Sequence, residues 1–448
     1  MSVILRADKG RIPYALFWNW DHSTTWCLNV PGSQNAGVFN GYTKGSEYFV
    51  KDYKRMIDWA QLNGINAVGI AGMLRDRHGG VDDARRICAY GMEHNVRVYV
   101  IAGLFAYGGM YYEGDSPYSM NKFLEENPEC AGRNADGSMF RADPCGYYGN
   151  VREPQGCPSN PRLREYVLDS LDWLFKTIPE LGGIQMESGD NGVCQCELCK
   201  ARHGAKAHNS NKSIEDMASI YPDAANVVWA RNPDAWVICE TYRHFKDPAC
   251  ALFNTPDASE ELQKLFAMPE KTFFQWSCDA MLEKGTWHDE DRLPGPMRKF
   301  NHVMRSHSGT HWRGGMRREL AIDLIRRQCR LSYEAGYNAV SLFGEDSIYY
   351  PNVEFNYLAL RYFANSPFAT IEQFAEDVMA PRLGGSLQAE KYIAFAGNKN
   401  RPEKIQAAQR EILKIASSLK DDEQIRRWLN LADFMNTIQW ESRFAQSN

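Results

Sequence analysis

The sequence has no apolar stretch long enough to cross a lipid bilayer and no long run of lysine or arginine. Its 51 basic residues nearly balance its 56 acidic ones, giving a formal net charge of −5. This balance argues against a general nucleic-acid-binding protein, because such proteins carry an excess of positive charge. The first residues lack a basic segment followed by an apolar run and a small-residue cleavage site, so no secretory signal peptide is expected. We therefore predict a cytoplasmic protein without a membrane or nucleic-acid partner.

Twelve cysteines without a signal peptide favour reduced thiols in a cytoplasmic protein over disulfides. A chain of 448 residues can bury a core that needs no disulfide to be stable. Aromatic residues make up 12% of the sequence, with 12 tryptophans and 22 tyrosines. They are typical either of a large core or of a cleft for a sugar ring, since both side chains combine a flat apolar face with a polar edge.

Apolar, strand-like segments alternate with amphipathic, helix-like segments over most of the chain. This alternation predicts right-handed βαβ units that build a parallel sheet. Eight such units favour a closed (β/α)8 TIM barrel. The alternative, a doubly wound open sheet, lacks the GxGxxG sequence that would follow its first strand. The predicted strands cover residues 12–22, 66–74, 96–105, 182–190, 235–242, 271–279, part of 302–315, and 337–346.

Two segments depart from this alternation. Residues 106–160 are rich in glycine, tyrosine, proline and aspartate, which predicts a long loop insertion after strand 3. From about residue 367 the apolar residues recur at three- and four-residue spacing, which predicts helices without strands. We therefore predict a catalytic barrel over residues 1–366 and a C-terminal α-helical appendage over residues 367–448.

Acidic residues follow several of the predicted strands. Asp21 follows the first strand, Glu187 and Asp190 the fourth, Glu240 the fifth, and Glu345 the eighth. Catalytic groups of such barrels lie at the C-terminal ends of the strands. One acid at a strand end means little, because every strand eventually meets water. Several acids around one ring predict a shared pocket, since burying unpaired carboxylates is costly and needs a functional reason.

Two carboxylates that face each other across a pocket can cleave a glycosidic bond. We assign Glu187 as the general acid, and Asp190 as a neighbour whose negative charge helps Glu187 to keep its proton. The other carboxylate acts as nucleophile or as the base that activates water. The candidates for this second role, in order of preference, are Glu345 or its neighbour Asp346, then Asp21, and then Glu240.

Aromatic and basic residues near the strand ends are candidate sugar contacts. A sugar packs its C–H face on an indole ring, and a guanidinium pairs with a carboxylate or sulfate. The arginines of these loops, among them Arg75, Arg77, Arg141 and Arg243, therefore suggest an acidic sugar, such as a uronic, sialic or sulfated residue. The alternatives are that the tryptophans belong to the core and that the arginines pair with the site's own acids. The predicted substrate contacts are Trp20, His22, Arg75, His78, Glu240, Arg243, Trp276, Trp312 and Asp346.

Three cysteines and a histidine crowd together after the fourth strand in the pattern C-x-C-x-x-C-x-x-x-H. Thiolate and imidazole ligands at this spacing can surround one tetrahedral zinc ion. Such a structural zinc would hold the loop that follows Glu187. Cys145 or Cys157, in the long insertion, is a substitute for one ligand, and the alternative to a metal site is three reduced thiols in a tight turn. The predicted zinc ligands are Cys194, Cys196, Cys199 and His203.

Two stretches resemble a known group of enzymes. IQMESGDNGVCQCELCK, residues 184–200, combines an acid-bearing fourth strand with a Cys-x-Cys-x-x-Cys-Lys turn, and LFGEDSIYYPNVEFNYLALRYFANSPFATIEQFAEDVMAPRLGG, residues 342–385, joins the eighth strand to the helical tail. Both resemble a broad superfamily of barrel glycosidases that includes bacterial α-glucuronidases and hexosaminidase-like enzymes. The resemblance implies a barrel, glycoside hydrolysis and a general acid at Glu187. Hexosaminidases carry adjacent Asp and Glu here, whereas Glu187 and Asp190 are separated, which argues against attack by a substrate acetamido group.

These patterns predict a glycoside hydrolase that uses a carboxylate pair, needs no cofactor for catalysis and binds an oligosaccharide or glycoside. One alternative is a metal-dependent isomerase, lyase or aldolase, with Glu187, Glu240, Glu345 and a histidine around a divalent ion. Another is a carbohydrate-binding protein without turnover. The sequence is also compatible with a homo-oligomer. A barrel alone does not choose among these functions, because one fold supports many chemistries.

Overall fold

The computed structural model describes residues 10–27, 45–142, 153–187, 192–203, 214–241, 260–278, 282, 295–310, 319–397 and 402–445. Over these residues the chain forms a barrel that is surrounded by helices and followed by a helical C-terminal region. None of the described helices has both the length and the apolar character that crossing a membrane requires.

Eight parallel strands form a closed barrel, which confirms the predicted (β/α)8 fold. The strands are β1 (Tyr14–Trp20), β2 (Ala67–Ala71), β3 (Arg97–Gly103), β4 (Gly183–Glu187), β5 (Trp236–Glu240), β6 (Phe273–Ser277), β7 (Asn301–Ser306) and β8 (Ala339–Phe343). β1 pairs in parallel with both β2 and β8, which closes the ring. All C-terminal strand ends therefore meet at one mouth, where such barrels carry their active sites.

Helices cover the outside of the barrel. They are α1 (Ser46–Asn63), α2 (Gly80–Glu93), α3 (Met120–Glu126), α4 (Pro161–Thr177), α5 (Glu197–His203), α6 (Ile214–Ala218), α7 (Tyr221–Arg231), α8 (Glu260–Phe266), α9 (Ile322–Ala335) and α10 (Val353–Asn365). Their ends follow local chemistry. α4 begins at Pro161 behind Asn160, whose side chain accepts the N–H of Leu163. α1 and α9 end at Gly64 and Gly336, which take left-handed φ values of 74° and 83°.

Side chains of each strand alternate between the inside of the barrel and the helix layer. In β1, Leu16 and Trp18 join an inner cluster, whereas Phe17 packs with the helices. The strands are therefore buried on both faces, which explains their nearly continuous apolar sequences. Tyr99 of β3 points inward and packs over Gly69 of β2. Only glycine fits at this position, because a Cβ atom there would overlap the tyrosine ring.

The predicted insertion after the third strand is confirmed. Residues 104–160 connect β3 to α4 and contain α3 and an antiparallel pair of two-residue strands, Arg141–Ala142 and Glu153–Pro154. The Gly156 N–H donates to the carbonyl oxygen of Phe105 at 2.8 Å. The insertion thus returns to the end of β3 and remains at the mouth of the barrel.

A helical region follows the barrel, as predicted. After α10 it contains α11 (Ile371–Phe374), a π-helical turn (Ala375–Met379), α12 (Ala380–Leu383), α13 (Ser386–Ala396), α14 (Pro402–Ser418) and α15 (Asp422–Ala445). Glu354 of α10 forms ion pairs with Arg426 at 3.1 Å and with Arg427 at 2.7 Å, and these pairs dock α15 on the barrel. The division between residues 366 and 367 stays a prediction.

Candidate active site

Two carboxylates end neighbouring strands of the barrel. Glu187 is the last residue of β4 and Glu240 is the last residue of β5. The residues before them, Met186 and Cys239, pack in the outer core, so strand alternation turns both glutamates toward the inside. Glu187 is 3% exposed and Glu240 is fully buried. Both acids that the sequence placed after these strands therefore reach the barrel interior.

One side-chain amide joins the two carboxylates. Gln185 Nε2 lies 3.0 Å from Glu187 Oε1 and 3.2 Å from Glu240 Oε2. Because both oxygens lie this close to one nitrogen atom, Glu187 Oε1 and Glu240 Oε2 are near each other. Gln275 of β6 donates a hydrogen bond to the same oxygen of Glu240. The two glutamates thus belong to one hydrogen-bonded group that spans three neighbouring strands.

Tyr99 and Arg305 occupy the barrel interior near this pair. Burial raises the pKa of Tyr99, Glu240 and Glu187 raise it further, and Arg305 lowers it, so all four groups lie within electrostatic reach of one another. The Arg305 guanidinium lies 5.5 Å from the ring centre of Trp18. A positive charge is therefore held against an aromatic wall inside the barrel.

Tyr221 fastens the ends of β4 and β5 to the helix layer. Its hydroxyl donates to the carbonyl oxygen of Glu240 at 2.6 Å and lies 3.2 Å from the carbonyl oxygen of Met186. Burial raises the pKa of this phenol well above its usual range, so the hydroxyl keeps its proton. Tyr221 is a positioning residue, because it fixes the backbone from which both glutamates project.

Glu345 lies on the opposite wall of the mouth. It follows β8, which is four strands away from β4 in the eight-stranded ring. Its Oε1 accepts the backbone N–H of Trp20 at 2.6 Å, and the residue is buried. Asp346 is buried beside it, and its carbonyl oxygen accepts a hydrogen bond from the Tyr357 hydroxyl at 3.0 Å. The turn after β8 is therefore tied to β1 and to α10.

Asp21, the predicted rival of Glu345, is enclosed by its own partners. Its Oδ2 lies 3.0 Å from Arg75 Nε and 3.0 Å from His78 Nδ1, and its Oδ1 lies 3.5 Å from His22 Nδ1. Burial alone would raise the pKa of Asp21, but Arg75, His22 and His78 outweigh burial and hold this pKa well below the usual range. Four residues that the sequence predicted for the site therefore lie together, and Asp21 is paired with the other three: His22, Arg75 and His78. The Asp21 carboxylate is thus occupied by Arg75 and the two histidines, and its predicted catalytic role stays a prediction.

Arg75 is also occupied by a second acid. Its Nη1 binds Glu113 Oε2 at 2.5 Å, and its guanidinium lies 4.2 Å from the ring centre of Tyr112. Arg77 binds the same glutamate. The alternative interpretation, that these arginines pair with acids of the protein itself, is confirmed for Arg75 and Arg77. They give no support to an acidic substrate.

Aromatic side chains line the mouth. Trp20 packs edge-to-face against Tyr107 and Tyr112, with ring centres 5.5 Å and 6.1 Å away. Tyr107 has a φ of 51°, in the left-handed region that strains a side chain other than glycine. Strained backbone of this kind clusters at functional sites. The turn after β3 thus holds two tyrosines against Trp20, which is 8% exposed, and the predicted sugar contact of Trp20 stays a prediction.

Trp276 does not reach the mouth, in contrast to the prediction. It lies on the outer face of β6, is 1% exposed and belongs to the core between strands and helices. Its indole N–H donates to His302 Nδ1 at 2.9 Å. Burial lowers the pKa of His302 to about 4, so the neutral imidazole accepts this hydrogen bond. Trp276 is a core residue because its position in β6 places it on the face opposite to Gln275.

The polar interior of the barrel is absent from the sequence-based prediction. Gln185 was detectable, because it stands two residues before Glu187 and therefore shares its face of the strand. Gln275 carries the same signal in β6. The inward position of Arg305 was not predicted, because the polar residues of the seventh strand interrupt the alternation of apolar and polar residues that marks a strand. Three predicted residues, Asp190, Arg243 and Trp312, lie outside the described residues.

The cysteines after β4 form a compact group with a fourth cysteine. The Sγ atoms of Cys157, Cys194, Cys196 and Cys199 all lie within 4.8 Å of one another. His203, the predicted fourth ligand, is not part of this group, and its Nε2 lies 3.1 Å from the carbonyl oxygen of Cys194. The imidazole is therefore turned to the backbone of the loop, and Cys157 takes its place.

No family model matches this chain, and no curated protein matches its sequence. A solved GH138 enzyme that targets pectin rhamnogalacturonan II aligns with a TM-score of 0.54 at 10% identity, over 97% of this chain and 58% of that chain. The GH89 enzyme CpGH89 from Clostridium perfringens, in complex with GlcNAc-α-1,4-galactose, gives a TM-score of 0.47 at 12% identity, over 86% of this chain and 40% of that chain. The maltogenic α-amylase AmyB from Thermotoga neapolitana gives a TM-score of 0.45 at 9% identity, over 79% of this chain and 77% of that chain.

The shared feature is the barrel. This chain spans little more than half of the GH138 enzyme, and at such low identity the likeness shows a common fold alone. These neighbours are glycoside hydrolases with (β/α)8 barrels, whereas the finer resemblance to the α-glucuronidase and hexosaminidase-like superfamily stays a prediction.

Proposed function

We propose that this chain is a glycoside hydrolase in which Glu187 is the general acid and Glu240 is its ionised partner. The observation that carries the proposal is the hydrogen-bonded group of Glu187, Gln185 and Glu240 at the barrel mouth. Glycosidic cleavage needs a carboxylic acid that protonates the leaving oxygen and a carboxylate that attacks the anomeric carbon or activates water. Two buried glutamates on adjacent strands can supply these two functions.

The surroundings of the pair support this division of roles. Glu240 accepts hydrogen bonds from the amides of Gln185 and Gln275, and such donors favour an ionised carboxylate. Two buried carboxylates this close repel each other when both are ionised, so the pair favours retaining one proton. Glu187 is the more exposed of the two glutamates, at 3% against 0%, so its proton is the one that a leaving oxygen can receive. Glu240, which the sequence ranked last for the second role and also suggested as a substrate contact, thus becomes the proposed partner.

Glu345 is the second candidate for the nucleophile or base. It faces the pair from β8, so a sugar bound between the walls would lie between Glu187 and Glu345. Trp20, Tyr107 and Tyr112 would offer apolar faces to that sugar. We place Glu240 first because one amide, Gln185 Nε2, donates to both Glu240 and Glu187.

An acidic sugar is the more specific form of the proposal. Of the arginines that suggested it, Arg75 and Arg77 bind Glu113, and Arg141 binds Glu125 at 2.7 Å. These three arginines are occupied by acids of the protein, so the substrate screen compares acidic with neutral sugars.

A screen of aryl glycosides tests the proposed activity. The panel includes glucuronides, sialosides, hexosaminides and neutral glycosides, and NMR of the first-formed anomer gives the stereochemistry. We expect hydrolysis of at least one class, lost in Glu187→Gln and kept in the matched exposed-acid variant Glu125→Gln. Sugar binding that is unchanged in Glu187→Gln, without product from any glycoside, would instead support a carbohydrate-binding protein.

The metal-dependent alternative predicts a different result. Within the part of the chain that the structure describes, the side chains grouped closely enough to share a metal ion are the four cysteines and not the glutamates. We expect turnover to persist in EDTA and to gain nothing from added Mg²⁺ or Mn²⁺. Activity that EDTA abolishes and either ion restores would favour a metal-dependent isomerase, lyase or aldolase.

A further inference from the structure

Four cysteine sulfurs meet between two segments at the mouth of the barrel. Cys157 Sγ lies 3.7 Å from Cys194 Sγ, 3.7 Å from Cys196 Sγ and 3.8 Å from Cys199 Sγ. A disulfide needs sulfur atoms about 2.0 Å apart, so these residues are four separate thiols. Four thiols of one pocket at such uniform separations require an explanation beyond apolar packing.

The separations are those of a tetrahedral metal site. With zinc–sulfur bonds of about 2.3 Å, the sulfur atoms at the corners of a tetrahedron lie about 3.8 Å apart. The three distances from Cys157 agree with this spacing. An iron–sulfur cluster would hold some of the cysteine sulfurs further apart, because the four sulfurs are shared among two or four iron atoms instead of one ion.

Two of the four sulfur atoms, those of Cys194 and Cys199, lie within hydrogen-bond distance of donor groups. The Arg133 and Cys196 backbone N–H groups donate to Cys194 Sγ at 3.3 Å and 3.5 Å. Ser159 Oγ lies 3.0 Å from Cys199 Sγ. Donors of this kind stabilise thiolates, which are the form of cysteine that binds a metal, and they orient the ligands around it.

We infer that Cys157, Cys194, Cys196 and Cys199 bind one zinc ion. Four thiolates leave no open coordination position, so the ion is structural and does not take part in catalysis. Cys157 belongs to the insertion after β3, whereas the other three ligands follow β4. The zinc therefore fastens these two segments together and restrains the segment that leaves Glu187. This inference is independent of the proposed glycosidase activity, because metal content is measured without a substrate.

Elemental analysis of the full chain, purified without added metal or chelator, tests the site. We expect about one zinc ion per chain, and X-ray absorption should show about four sulfur neighbours at ~2.3 Å. Cys157→Ala should reduce the zinc content at least about tenfold. Two controls should keep it: Cys130→Ala, a buried cysteine of the same insertion outside the group, and His203→Ala, the histidine that the sequence suggested as a ligand.

Wild-type protein that contains no zinc and whose four thiols all react with a thiol reagent would overturn the inference. A His203→Ala variant that loses zinc while Cys157→Ala keeps it would overturn the ligand set. Iron at the same occupancy would overturn the identity of the metal. If Cys157→Ala does not fold, the metal content and absorption spectrum of the wild-type chain still decide the question.

Discussion

Gln185 stands between the carboxylates of Glu187 and Glu240, with its Nε2 3.0 Å from the first and 3.2 Å from the second. Residues two apart on a strand share a face, so Gln185 and Glu187 both point into the barrel, where Gln185 also reaches Glu240 at the end of β5. The protonation of either glutamate therefore depends on the other. This coupling gives each substitution in the group a distinct expected effect.

Replacing Glu187, the proposed general acid, should affect substrates unequally. We expect Glu187→Gln to lower kcat by at least about a hundredfold on glycosides with poor leaving groups, because these need a proton from the enzyme. Aryl glycosides with acidic phenols should lose much less. The measurement is kcat across a series of leaving groups, with Glu125→Gln as the control. A near-normal rate on a poor leaving group would reject the assigned role.

The second carboxylate is identified by comparing two variants. Glu240→Gln should lower kcat/KM by about a hundredfold or more on good and poor leaving groups alike, since the attacking or activating group is lost in both cases. Glu345→Gln should have a smaller effect under the same conditions. The reverse order would assign the partner role to Glu345, as the sequence suggested, and would remove Glu240 from the catalytic pair.

Removing the shared amide should change both stability and pH dependence. Gln185→Met takes a donor from buried carboxylates, so the free energy of unfolding should fall by about 1–3 kcal/mol. The acid limb of the kcat/KM profile should move to higher pH, because losing a donor disfavours the ionised form. Urea denaturation and pH–rate profiles measure these effects.

Gln328→Met is the matched control for this change. Gln328 is also buried, and its side chain donates to the carbonyl oxygens of Met304 and Ser341. Its replacement should destabilise the fold but leave the pH profile in place. An equal shift of the acid limb in both variants would show that the effect of Gln185→Met is only structural.

Asp21 should stabilise the fold in a pH-dependent way. Arg75, His22 and His78 hold its pKa below the ordinary value of 3.8, so its contribution is present above that value and is lost as the pH falls further. At neutral pH, Asp21→Asn should lower the free energy of unfolding by about 3–5 kcal/mol, because buried cations lose their partner. Denaturation curves should show the difference from wild type shrinking below about pH 4.

The control for Asp21 removes the other partner of Arg75. Glu113 is 44% exposed, so Glu113→Gln should cost less than about 1 kcal/mol at neutral pH. If the two variants cost the same, or if the effect of Asp21→Asn does not change with pH, then the buried ion pairs do not contribute as described.

The sequence by itself determined the architecture and the ends of its elements. Alternating strand and helix patterns predicted the closed barrel, and Gly64 and Gly336 marked the helix ends because left-handed backbone suits a residue without a side chain. The position of Glu187 at a strand end follows from the same local pattern. These features depend on interactions between residues that are close in the chain, so the sequence alone is enough to predict them.

Only the tertiary structure decided which strand-end residues act together. Asp21 and Glu240 look alike in sequence, yet one is enclosed by Arg75 and two histidines while the other shares an amide with Glu187. The cysteine spacing suggested His203, with Cys145 or Cys157 as a substitute, and the fold groups Cys157 with the three cysteines that follow β4. Local patterns record which face of a strand is buried, but contacts around a closed ring depend on strand register and loop paths that join residues distant in the chain.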